Sequence, residues 1–214
     1  MSSSLVGSEM CIRDRADRLL NVLGEDHRLQ AKQVGLTLNE LGDDAPEVVF
    51  YSFIKLPEGK MSTRRGNVVF MDDLLEEAKA QAANVVRDLR PEYDEAQIDA
   101  ISEAVATSAV RFNIIKVSPE KGFTFTWEEA LSFEGGSAPF AMYAHTRACS
   151  IARNLEAAEP ATEGPTFEGE MPDGLVDLLR VLAVHPDVLR NAVQQHKPHL
   201  FALHMLDLAN AYNG

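Results

Sequence analysis

With 214 residues, 45% of them hydrophobic, the chain can build one large domain or two modest ones. No apolar run approaches the roughly 20 residues of a membrane helix, so a helical membrane protein is excluded and a cytoplasmic location is expected. The net charge of −13 excludes a uniformly basic surface, but a local basic loop can still hold a polyanion. Acid concentrates in residues 72–103 and 156–177, whereas residues 55–65 carry four basic side chains against one glutamate. Residues 111–121 are also locally basic, with Glu120 as their one acid.

The opening stretch MSSSLVGSEMCIRDR has neither a helical nor a strand period and lacks the apolar centre of a signal peptide. Residues 1–15 are therefore expected to be a non-native scar. The apolar run 19–23 ending at Gly24 predicts a buried strand, followed by a turn over residues 24–27. Leu29, Val34, Leu38 and Leu41 recur at helical spacing, and Gly42 predicts the stop. Residues 48–54, rich in β-branched and aromatic side chains, predict the next strand. Strand, helix and strand within about 40 residues form a parallel crossover unit, whose ligands bind at the carboxyl ends of the strands.

Beyond residue 67 the pattern is helical. Asp73 and Glu76 have capping-box spacing and predict a helix start; Pro91 forbids continuation past about residue 88. Asp94 and Gln97 predict a second helix through Ile98, Ile101, Val105, Ala109, Phe112 and Ile115. Phe123-Thr124-Phe125 is too short for more than an extended link. Thr126 and Glu129 cap a short helix that begins at Trp127. Gly135-Gly136-Ser137 breaks the chain before a helix over residues 139–154. Residues 156–171 read as an exposed acidic connection, and Pro172, Pro186 and Pro198 predict three further helices. The last of these looks unfinished, so the chain reads as a fragment.

Cys11 and Cys149 fit no metal spacing and read as reduced thiols. His185, His196, His199 and His204 scatter along helices and read as structural or surface groups; no metal site is expected.

The segment GKMSTRRGN, residues 59–67, gathers Lys60, Arg64 and Arg65 with the hydroxyls of Ser62 and Thr63 between Gly59 and Gly66. Cations and hydroxyls of this kind neutralise and hydrogen-bond phosphate oxygens, and the glycines let backbone approach a ligand. A mobile cation there could meet the charge developing on a departing pyrophosphate. The Walker spacing is absent, and the plainer reading is a solvated basic loop.

Lys60-Met61-Ser62-Thr63-Arg64 resembles the Lys-Met-Ser-Lys-Ser signature of class I aminoacyl-tRNA synthetases. KMSTRRGNVV is similar to the arginyl-tRNA synthetase branch in particular. VRFNIIKVSPEKGFTFTWEEALSFEGGSAPFAMYAHTRACSI resembles that family's passage into its anticodon-binding domain, and HPDVLRNAVQQHKPHLFALHMLDLANAYN the domain itself. The resemblance implies an α/β remnant of a Rossmann-like class I synthetase catalytic domain followed by a mostly α-helical anticodon-binding domain. Residues 16–134 would be the former and residues 135–214 the latter.

By that resemblance Lys60, Met61 and Ser62 form a loop over the ATP phosphates, with Lys60, Ser62 and Arg64 as catalytic candidates. Gly24, Asp26 and His27 match a Gly-x-Asp-His element of the nucleotide site, where Asp26 accepts from a ribose hydroxyl; its plainer reading is a helix N-cap. Tyr143, His145 and Arg147 lie on a helix that helps hold tRNA. Their spacing of two keeps the three off one face, so some are structural, and Arg147 is the foremost phosphate contact.

The implied substrates are arginine, its tRNA and ATP with Mg2+, without a tightly bound cofactor. Arginine's carboxylate attacks the α-phosphate to give arginyl-adenylate and pyrophosphate; the tRNA ribose then takes the arginine. Two departures stand out. Thr63 replaces the signature's second lysine, so Lys60, Arg64 or Arg65 must supply that charge. The His-x-Gly-His-type signature is absent from these 214 residues, so the fragment is expected to be inactive alone. The competing readings are a stand-alone tRNA-binding helical module, and another class I synthetase or small ATP-dependent ligase, against which residues 111–151 discriminate.

Overall fold

The computed structural model describes residues 17–55, 70–132, 135–155 and 169–214. Strand β1 (Leu20–Gly24) pairs in parallel with β2 (Glu47–Tyr51), in a register that sets Leu20 beside Glu47 and Gly24 beside Tyr51. A short 3-10 turn, Glu25–His27, leads into the crossover helix α1 (Arg28–Glu40). Gly42 ends α1 as its sequence position predicts. Its φ of 79° is left-handed, and the N–H groups of Gly42 and Asp43 donate to the carbonyls of Asn39 and Leu38 at 3.1 and 2.9 Å. These are the two bonds that satisfy carbonyls left open at a helix end. The buried strand expected at residues 19–23 is a strand, but only partly covered: Leu20 and Val22 are 41% and 61% exposed.

The single strand expected over residues 48–54 is broken. It stops at Tyr51 and resumes as β3 (Ile54–Lys55) because a distant segment intrudes. The Ser52 N–H donates to the Pro119 carbonyl at 2.7 Å, and a Cβ placed on Gly122 would come within 2.9 Å of the Phe53 carbonyl oxygen. Only a glycine admits so close a backbone approach. The link at Phe123-Thr124 forms a two-residue strand, β4 (Phe123–Thr124), paired with β3. The described residues separate into two compact units: residues 17–55 with Pro119–Phe123 form one, and the other described residues form the second.

The second unit is helical. Helix α2 (Met71–Leu89) starts before the expected Asp73 cap: Phe70 occupies the N-cap without a side-chain bond, and its carbonyl accepts from the Leu74 N–H at 3.1 Å. Asp72 and Asp73 instead sit in the first turn, where the helix dipole favours acid. Helix α3 (Glu95–Ile115) keeps its expected capping box, with the Gln97 N–H donating to Asp94 and the Asp94 N–H to the Gln97 side chain at 2.8 and 3.1 Å.

Ala78, Ala82 and Val86 of α2 and Ile98, Ala106, Ala109 and Val110 of α3 are buried, with small side chains that let the two helices approach closely. Thr126 caps the short α4 (Trp127–Ala130) as expected. Trp127 meets Phe125 edge-on at 4.9 Å and donates its indole N–H to Glu77 at 2.8 Å. Ser137 is buried; its hydroxyl donates to the Ser132 carbonyl and accepts from the Phe140 N–H at 3.3 Å, opening α5 (Ala138–Leu155).

The remaining described helices are two, not the three that the prolines suggest. Helix α6 (Asp173–Gln194) runs straight through Pro186, and α7 (Pro198–Asn213) carries Pro198 in its first turn. Pro186 cannot donate to the Leu182 carbonyl, yet packing of α6 along α7 holds the helix despite that missing bond. His196 closes α6 at a φ of 54°, with the Lys197 N–H on the Ala192 carbonyl at 2.9 Å. Among the described residues no helix is long and apolar enough to cross a membrane.

Candidate functional site

The first candidate site stands at the carboxyl ends of the parallel strands. Gly24 is buried in extended backbone, and a Cβ there would lie 2.6 Å from Asp26 Oδ1 and 3.8 Å from Tyr51 Cζ. The missing side chain lets the Asp26 carboxylate fold back over the strand end. Asp26 does not cap α1, contrary to its plainer reading: the N-cap position belongs to His27, which makes no side-chain cap bond. The carboxylate therefore remains an exposed acceptor that suits a hydroxyl donor from a ligand. His27 Nε2 stands 3.8 Å from Asp26 Oδ2, both side chains more than half exposed, so the pair is weak and easily displaced. Behind this edge the Arg28 guanidinium lies 4.5 Å over the Phe50 ring, fixing the first turn of α1 to β2.

Tyr51, on the strand end beside Gly24, belongs to this cluster and is 46% exposed. The strand-end rule that singles out Gly24 applies equally to Tyr51, a signal that motif reading passes over. Lys60, Met61, Ser62 and Arg64 lie outside the described residues.

The second candidate site is built on α5. Tyr143 and Arg147, four residues apart, share a face; His145 does not join them. The Arg147 guanidinium carbon lies 5.9 Å from the Tyr143 ring and 5.8 Å from the Tyr212 ring of α7, and its Nη1 donates to Asn213 Oδ1 at 2.7 Å. Two aromatic faces and one amide thus hold an exposed, planar cation in a fixed orientation, with further N–H groups left to donate. Tyr143, 54% exposed, adds a ring on which a base can stack. Tyr212 and Asn213 have no local sequence signature, because they reach Arg147 from 65 and 66 residues further on.

His145 lies beside Cys149, whose Sγ is 3.4 Å from Nε2, and lines an apolar cavity of about 310 Å3 with Leu178, Leu182 and Met205. Cys149 is a free thiol, and Cys11 lies outside the described residues. Lys116 anchors the start of α5 by donating from Nζ to the Gly136 carbonyl at 2.8 Å. Burial pushes its ammonium below the ordinary lysine value, while Glu129 opposes that shift. Gly135 and Gly136 take φ of 111° and 70°, which only glycine adopts without strain.

Known proteins place this architecture. The family of tRNA synthetases class I (R), catalytic domain, matches residues 10–127, and the DALR anticodon binding domain matches residues 141–214. The chain belongs to the class I (R) tRNA synthetases, with part of their catalytic domain followed by a DALR anticodon-binding domain.

Its relatives include the arginine–tRNA ligases of Methanocella arvoryzae, 46% identical over 93% of this chain, and of Methanospirillum hungatei, 44% identical over 92%. The chain spans about a third of their length, 35% and 34% respectively. Arginyl-tRNA synthetase of Thermus thermophilus superposes with a TM-score of 0.79 at 28% identity, over 93% of this chain and 33% of that one. The expected fold class, a class I catalytic remnant followed by a helical anticodon-binding domain, holds.

Proposed function

We propose that the chain is a stretch of an arginine–tRNA ligase, joining arginine to its tRNA by way of arginyl-adenylate. The observation that carries this reading is the run of relatives so named along nearly the whole chain, 46% identical in Methanocella arvoryzae. Residues 16–134 are taken as the back of the catalytic domain and residues 135–214 as the anticodon-binding part. ATP enters as its magnesium complex, and the reaction is cytoplasmic.

In this reading Gly24 and Asp26 receive the nucleotide at the strand ends, Asp26 accepting from a ribose hydroxyl with His27 beside it. Lys60, Met61, Ser62 and Arg64 act on the phosphates, where positive charge stabilises the pyrophosphate as it departs. The exposure of the Asp26 carboxylate supports its part, since it caps no helix. Tyr143 and Arg147 contact tRNA, the guanidinium on a phosphate and the ring against a base; their clamp with Tyr212 and Asn213 supports this. His145, turned toward Cys149 and the apolar cavity, acts through the packing of α5.

In a full-length ligase carrying this stretch, Lys60→Ala should lower ATP–pyrophosphate exchange by about 10²–10³ while leaving tRNA affinity nearly unchanged. Equal loss of both would count against the assignment.

A further inference from the structure

Two imidazoles meet inside the α6–α7 hairpin. His185 Nδ1 lies 3.1 Å from His204 Nε2, with ring centroids 5.1 Å apart and planes tilted by 48°. His204 is 5% exposed, and Phe201, nearly one turn earlier on α7, packs against the His185 ring at 5.6 Å. A neutral imidazole has one N–H and one lone pair, so two neutral rings share a hydrogen bond, and so do one neutral and one charged ring. Two charged rings have no lone pair between them. The bond is then lost, and two positive charges face each other at a part-buried contact.

Few other charges bear on the pair. Asp187 and Arg190, beside His185 on α6, are joined to each other at 2.5 Å. On α7, Asp207 favours charge on His204. Among the described residues, α5 and α3, which also pack on α7, contribute no charge that acts on His204. Lys197, ahead of α7, acts on His199 instead.

We propose that His185 and His204 form an acid-sensitive latch on the α6–α7 hairpin, closed while the pair holds at most one proton and released when both rings are charged. Burial, and then His185, hold His204 below the ordinary histidine value. The released state therefore binds protons more readily than the closed one. The latch's contribution is fully present above about pH 6.5 and is lost progressively as pH falls from there toward the lower folded-state value. One extra proton in the open state raises the opening constant by at most about tenfold per pH unit. Release would also loosen Tyr212 and Asn213, the α7 residues that hold Arg147.

The test is amide hydrogen exchange on the whole chain from about pH 7.5 to about pH 5, with protection factors of α6 and α7 compared with those of α2 and α3, which contain no histidine. Protection in α6–α7 should fall by several-fold, up to about tenfold per unit below about pH 6.5, while α2–α3 stays level. His204→Gln, which keeps a hydrogen-bonding side chain but cannot charge, should flatten most of that fall, and His185→Gln should reduce it in part, because burial still holds His204 low. His199, also held low by burial and by Lys197, contributes a separate share that persists in both variants. If His204→Gln does not fold, the more exposed His185→Gln carries the comparison. Parallel behaviour of the two hairpins in the native chain, or the full native fall in His185→Gln, would overturn the latch.

Discussion

Two antiparallel helical hairpins of similar length, α2–α3 and α6–α7, solve the same packing problem with different interiors. The first is closed by small apolar side chains: Ala78 and Ala109 have no exposure and Ala82 has 1%. Its ion pairs, Lys79 with Asp99 at 2.7 Å and Arg87 with Glu95 at 2.9 Å, stay on the solvent side, where they contribute little. The second puts a histidine pair at its interface, runs a proline through one helix, and leaves Leu179, Leu182, Leu189 and Val193 at least 44% exposed. An alanine seam holds at any pH at which the backbone does. A histidine seam holds only while its protons are counted correctly, and the clamp on Arg147 hangs from that second hairpin.

The comparison can be broken first at its tightest point. Ala78→Leu adds volume where α2 and α3 leave none and should cost about 1–3 kcal/mol, read as a lower denaturant midpoint. A neutral result would mean that the alanine seam is looser than its burial implies. A smaller effect sharpens the contrast at the helix starts. Asp94 caps α3 through a reciprocal box, whereas α7 begins at Lys197 without a side-chain cap. Asp94→Ala should therefore cost about 1 kcal/mol, and urea melts would show it as a lower midpoint at unchanged slope. No loss would put the stability of α3 in its packing alone.

What could be read from sequence divides along the same physical line. Gly42 and the Asp94 box are local devices, and each sits where its chemistry demands. The break in β2 was not legible, because it comes from Pro119 and Gly122, nearly 70 residues further on. Pro186 misled for a related reason: proline's cost is local, but the packing that offsets it lies on another helix. At the candidate sites, the position of Gly24 and Asp26 at a strand end follows from strand order, their proposed part comes from the family resemblance, and Tyr212 and Asn213 become visible only where α7 returns alongside α5. The histidine pair escaped notice because 19 residues separate its members across a turn.

Whether this acidic chain presents a tRNA-binding cation at the α5 clamp is the point at which the geometry puts the functional reading to the test. Binding of an arginine-tRNA transcript, measured across a series of salt concentrations with the native chain and with Arg147→Ala, tests it. The account predicts affinity that falls with salt, and a variant that binds more weakly with a log–log salt slope reduced by about 1. An unchanged slope and affinity in the variant, or no binding by the native chain at low salt, would contradict it.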